Sequence, residues 1–290
     1  MTATEITDPD DPRLDPFRNV RDRDLRGDRG RFIVESPRVV ARFLEAVDAG
    51  RFTIESLVVD PTIAPALLDR PVPADVPVHA ASHDVLTEAS GYRFHAGALA
   101  VGRRPRRPAG LDELVGGLPA DGPVLLGGLA GITSMDNIGG IFRTAAALGL
   151  DGLVLDARCG DPLLRRCLRI SMGQVFRMPW AVVPSLDDTI GRLAEGTPMA
   201  AIASIAIENL ADAPTIDTAP LPDRAMLVIG NEGHGVPATV IAACGGVRRI
   251  IGPDDLLDAE RPGGEDERSL NAHVAAAIAF HEARRRRPPR

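Results

Sequence analysis

Lysine is absent from this 290-residue chain, and all 33 basic residues are arginine. The absence excludes a phosphate-loop lysine, a Schiff-base lysine and a lysine general base. Where a cation is needed it is a planar guanidinium, whose fork suits phosphate. Cysteine is scarce too. Cys159, Cys167 and Cys244 are odd in number and form no CxxC pair, so neither a disulfide framework nor a zinc site is expected, and no metal ligand set stands out. No apolar run approaches the ~18 residues of a membrane span. The N-terminus, MTATEITDPDDPRLDP, is acidic rather than a basic leader before an apolar segment, and a cytoplasmic address is expected. An excess of positive charge is also missing. A formal net charge of −7 argues against coating nucleic acid through bulk charge, so any nucleic-acid contact must be local.

A hydrophobic fraction of 44% can supply a core for about two domains of ~150 residues each. Residues 1–30 mix Arg with Asp without a periodic apolar face and read as a flexible arm. From Arg31 the pattern runs strand, helix, strand: RFIVE, then Ser36 as N-cap, Pro37 in the first turn and Gly50 as stop. The strands ESLVVD, VPVHAA and AGALAVG complete a compact α/β unit over 31–102. Residues 103–122, opening with RRPRRPAG, read as a linker. From 123 to 290, apolar strands alternate with helices, which implies a parallel sheet covered on both faces. Ligands bind such sheets at the carboxyl ends of the strands, here the loops after Leu129, Ile229 and Ile251.

Three segments place glycine or an amide beside a charge at a strand end. In Asn137-Ile-Gly-Gly-Ile-Phe-Arg143, Asn137 can cap a helix whose second turn carries Arg143, making one anion-binding space. A capped helix with a surface arginine is the plain alternative. In Leu227-Val-Ile-Gly230-Asn-Glu232-Gly-His-Gly, the glycines let backbone approach a flat or anionic ligand, and Glu232 is the only acid. The spacing is neither GxGxxG nor GxxxxGK[ST]. In Ser269-Leu270-Asn271, Ser269 is a natural N-cap and Asn271 projects from the first turn, where both could bond a ligand or merely the helix end.

Taken in order, NxGxxxRTAxxxG, GNEGxG and SLN before an Ala-rich helix resemble the three motifs of the SpoU (TrmH-like) RNA methyltransferases of the SPOUT class, over residues 124–285. Residues 31–102 are similar in pattern to the ribosomal-protein-L30e-like substrate-binding domain of many members. The resemblance implies an α/β fold with a trefoil-knotted parallel sheet, a homodimer, and S-adenosylmethionine held largely by backbone groups at Gly230, Ile250 or Ile251, and Leu270. Asn137, Arg143, Glu232, Ser269 and Asn271 match the family's functional polar positions. The implied activity is methylation of a ribose 2′-hydroxyl in structured RNA, ribosomal in preference to transfer. The alternative is a non-catalytic RNA-binding or ribosome-assembly factor on the same fold.

Arginine has a pKa above ~12, so Arg143 suits a phosphate clamp that polarises the hydroxyl better than a base. Asn137 and Asn271 would orient the nucleotide, and Glu232 would position Arg143 or shape its loop. One departure from the family stands out: the acidic stretch 252–268 replaces a short loop before Ser269, as a solvated insertion or a lid.

Overall fold

The structure, a computed structural model, describes residues 3–18, 30–91, 96–107, 109–196, 201–210, 212–250 and 270–287. The chain forms two compact units, Met1–Arg107 with Asp161–Arg177, and Pro108–Gly160 with Met178–Arg290.

In the first unit, β1 (Thr4–Ile6), β2 (Arg31–Glu35), β3 (Thr53–Val59), β4 (Val78–Ala81) and β5 (Ala98–Arg103) form a mixed sheet of order β1-β4-β3-β5-β2. Helices α1 (Pro37–Asp48) and α2 (His83–Ser90) belong to the same unit. Helix α1 buries Val39, Val40, Phe43 and Leu44, a spacing that keeps them on one helical face. Ser36 does not cap it through its side chain: its φ is 83° and its hydroxyl makes no capping bond. The expected arm is instead partly built in. Strand β1 pairs with β4, and Leu14 and Phe17 of a 3-10 turn are buried. A three-residue strand is too short to show a period in sequence, which is why it is missed.

Residues 161–177, expected with the second domain, also pack in the first unit. They form α3 (Arg165–Ile170) and a 3-10 turn ending at Phe176. The Phe176 ring lies 5.1 Å from Phe43, 5.2 Å from Phe52 and 6.0 Å from Phe32, completing an aromatic cluster. Arg104 pairs with Asp161 at 2.8 Å.

The second unit is built on β6 (Val124–Leu129), β7 (Gly152–Asp156), β8 (Trp180–Val183), β9 (Ala203–Ile207), β10 (Arg224–Ile229) and β11 (Val247–Arg248), all parallel, in the order β11-β9-β10-β6-β7-β8. Every residue of β6 and β7 is buried, as expected for strands covered on both faces. Its helices are α4 (Leu111–Gly116), α5 (Met135–Leu148), α6 (Leu186–Glu195), α7 (Ala238–Ala243) and α8 (Ala272–Arg285). Part of the expected linker is core: Leu111, Leu114 and Leu118 join a cluster with Val124, Ile190 and Met226.

Two features place the carboxyl-end loops. Strand β11 pairs with β9 on one side, while Arg249 bridges Thr215 on the other, so the connection after β9 passes outside the chain that follows α7. Helix α8 packs closely on α5 and β6: a Cβ at Gly140 would come 2.7 Å from the His273 ring, and one at Gly127 would come 2.9 Å from Phe280. No described helix is long and apolar enough to cross a membrane.

Candidate active site

Helix α5 begins one turn earlier than Asn137. Ser134 is its N-cap and accepts from the Asn137 backbone N–H at 3.4 Å. Asn137 is therefore not the cap, and its side chain is released for other partners. It is 4% exposed and donates through Nδ2 to Glu232 Oε1. At the start of α8, Asn271 itself is the N-cap, its Oδ1 accepting from His273 N at 3.0 Å and Val274 N at 3.4 Å. This corrects the expectation of a Ser269 cap, and Ser269 lies outside the described residues, as do Ile251 and the stretch 252–268. The other end of the Asn271 amide is free to bridge: Nδ2 donates to Asn137 Oδ1 at 2.9 Å and to Glu232 Oε1. Two amides thus converge on one carboxylate oxygen.

Arg143 is not brought into this triangle. Six residues at 100° each set it about 240° round α5 from Asn137 and ~9 Å along the axis. It is exposed, and among the described residues its side chain has no hydrogen bond or ion pair. Glu232 is therefore held by asparagines and not by Arg143.

The loop after β10 carries Glu232 and Gly230. It is a tight hairpin in which Asn231 and Gly235 exchange backbone bonds at 3.1 and 2.8 Å. Gly230 is obligatory, since a Cβ there would come 2.1 Å from the Gly235 carbonyl carbon. Three residues that hold this loop escaped the sequence reading. Asn231 donates through Nδ2 to Gly131 O at 3.0 Å and accepts at Oδ1 from Gly233 N at 2.9 Å. Asp156, buried at the end of β7, accepts from Gly131 N at 3.0 Å and pairs with Arg158 at 2.7 Å. Glu208, just past β9, accepts from Val236 N at 2.7 Å. Each lies at the end of an apolar strand or within two residues of it, which was the available signal.

Ile250 and Leu270, both half-buried, follow β11 and precede α8. Cys159 donates to Leu129 O at 3.2 Å, and burial, reinforced by the Asp156 carboxylate, pushes its thiol up to about 12. It stays a neutral thiol at ordinary pH. Among the described residues no group of three His, Cys, Asp or Glu could hold a metal ion.

The SpoU rRNA Methylase family model matches residues 128–281, more than half of the chain and all of this site. An uncharacterized tRNA/rRNA methyltransferase of Mycobacterium bovis is 32% identical over 289 residues, 98% of this chain and 93% of that protein. The 23S rRNA (guanosine-2′-O-)-methyltransferase RlmB of Nitrosomonas europaea is 29% identical over 208 residues, 71% of this chain and 73% of that protein. Among solved structures, the SpoU methyltransferase AviRb from Streptomyces viridochromogenes, also determined in complex with AdoMet, shares 26% identity. It has a TM-score of 0.69 and covers 94% of this chain and 96% of that one. The AdoMet-bound rRNA methyltransferase from Sinorhizobium meliloti shares the fold, with a TM-score of 0.74, 23% identity and 98% coverage of both chains. On these grounds the chain belongs to the SpoU rRNA methylase family and is an RNA methyltransferase.

Proposed function

We propose that this enzyme transfers a methyl group from S-adenosylmethionine to a ribose 2′-hydroxyl of structured RNA, ribosomal in preference to transfer. The observation that carries the reading is the convergence of Asn137 and Asn271 on Glu232, beside the Gly230 hairpin, at the carboxyl ends of parallel strands. The RlmB relative is named for 2′-O methylation, which supports the same acceptor here.

The residues present fit the cofactor. The Gly230 hairpin brings bare backbone to the sheet edge, and Ile250 and Leu270 add main-chain donors and acceptors suited to a neutral adenine. AviRb in complex with AdoMet supports the assignment. When bound, the sulfonium supplies an electrophilic methyl. This chain's own residues orient the acceptor and take up its proton. Glu232 spends one carboxylate oxygen on the two amides and, among the described residues, has no donor on the other, which is left to accept from the ribose hydroxyl. Arg143 clamps an adjacent phosphate through its guanidinium fork.

A second copy of the chain completes the site. Val274 and Ile278, 41% and 37% exposed one turn apart on α8, offer an apolar strip on the helix packed against the Arg143 helix. The passage of the 214–216 segment outside Arg249 supports the trefoil knot of the SPOUT class. The first unit serves as the L30e-like RNA-binding domain. The test is nucleoside mass spectrometry of RNA treated with the enzyme. A 2′-O-methylated nucleoside is expected, and a base-methylated product, or equal activity on DNA, overturns the reading.

A further inference from the structure

Glu208 belongs to none of the three motifs, yet its contacts tie together both segments assigned to the cofactor. Its backbone N–H donates to Arg248 O at 3.0 Å, immediately before Arg249 and Ile250. Its carboxylate crosses to the other side: Oε2 accepts from Val236 N at 2.7 Å, and Oε1 accepts from Asn209 N at 3.2 Å. The carboxylate also lies directly on Gly235, where a Cβ would come 2.4 Å from Oε2. Gly235 has a φ of +63°, and its carbonyl in turn lies against Gly230. Carboxylate, Gly235 and Gly230 are therefore stacked without a side chain between them. Glu232 sits at the tip of the same hairpin, so the position of its carboxylate depends on how the base of the hairpin is closed.

We infer that Glu208 is the positioning residue of the cofactor loop: its carboxylate closes the 231–235 hairpin from below and sets Gly230 and Glu232 for binding and transfer. A hydrogen bond from a backbone N–H to a carboxylate is among the stronger ones in proteins. Among the described residues no cation reaches half-buried Glu208, and its carboxylate accepts there from main-chain N–H groups. Removing it leaves the Val236 N–H without a partner and a gap under Gly235, and the hairpin then samples open forms that cannot hold the ligand.

This inference rests on the assignment of the 230–236 loop to S-adenosylmethionine, and the experiment separates the two. Calorimetry with S-adenosylhomocysteine is run on the full-length wild type, Glu208→Ala, Glu208→Asp and Glu208→Gln, alongside amide hydrogen exchange at 231–236 without ligand. Failure of the wild type to bind sinks the cofactor assignment. If it binds, Glu208→Ala and Glu208→Asp, whose carboxyl is one methylene too short, should each weaken binding by about tenfold or more. Glu208→Gln keeps an acceptor at the same reach and should restore most of the affinity. Exchange at Val236 should quicken in Ala and Asp but not in Gln, a pattern that general destabilisation does not produce. Should Glu208→Ala not fold, the Asp and Gln pair carries the same contrast. Wild-type affinity in Glu208→Asp, or unchanged exchange at Val236, overturns the inference.

Discussion

Asn271 Nδ2 and Asn137 Oδ1 are 2.9 Å apart, joining the first turns of two helices separated by 134 positions in the chain. Asn271 does two jobs with one amide, capping α8 through Oδ1 and bridging to Asn137 and Glu232 through Nδ2. Asn271→Asp should separate them. Aspartate caps as well as asparagine, so the melting temperature should stay within a few degrees. The same change replaces a donor with a second carboxylate beside Glu232, and methyl transfer should fall about ten- to a hundredfold. A variant active at wild-type rate would show that the triangle is not part of the catalytic machinery.

Arg143 stands exposed and unpaired among the described residues, as a group awaiting RNA would. Arg143→Ala should lower turnover by about 10²–10³-fold, the usual cost of removing one charge-stabilising donor, with cofactor affinity unchanged. Single-turnover rates and calorimetry on the same variant check both halves.

Phe176 is fully buried against Phe32, Phe43 and Phe52. Phe176→Ala should therefore destabilise the first unit by about 3–5 kcal/mol, although the residue lies far along the chain from that unit's strands. Urea unfolding followed by exchange at β2 and β3 would detect it. For the same reason a fragment starting near Ala109 cannot simply be separated from the first unit. It would carry residues 161–177 stripped of the surface they bury.

His79, on β4, is 5% exposed and among the described residues has no hydrogen-bond partner at Nδ1. Burial, and then the Arg13 charge, lower its pKa below the ordinary 6.5, with Asp11 opposing. The folded protein thus binds this proton less readily than the unfolded chain. Stability is complete above the unfolded value of about 6.5 and is lost as pH falls from there through the folded value. Asp11 does not add to the change over this range, since its hydrogen bond to Arg13 holds its carboxyl at about 2. His79→Leu should lose less melting temperature than wild type between about pH 7 and pH 5. Equal losses would assign the acid sensitivity elsewhere.

The exposed pair Val274 and Ile278 yields the last expectation. A double change of both to Glu should convert the proposed dimer to monomers in sedimentation while α8 stays folded, because Glu is a good helix former. A variant still dimeric would place the interface on another face.

Local pattern alone determined a good deal of this protein. Buried parallel strands read as apolar runs because both faces are covered, and the glycines and amides at their ends mark the ligand edge because close backbone approach needs them. Asn137, Glu232 and Asn271 were legible on that basis. Tertiary structure decided what each residue does there. Ser134 takes the capping role and frees Asn137, while helical rotation carries Arg143 off the triangle. Glu208, Asp156 and Asn231 became visible only when strands distant in sequence were laid side by side. The placement of Phe176 in the first unit and of Leu111 in the second core depended on the same thing. Burial is a property of the surface a side chain meets, and a sequence records the side chain without recording that surface.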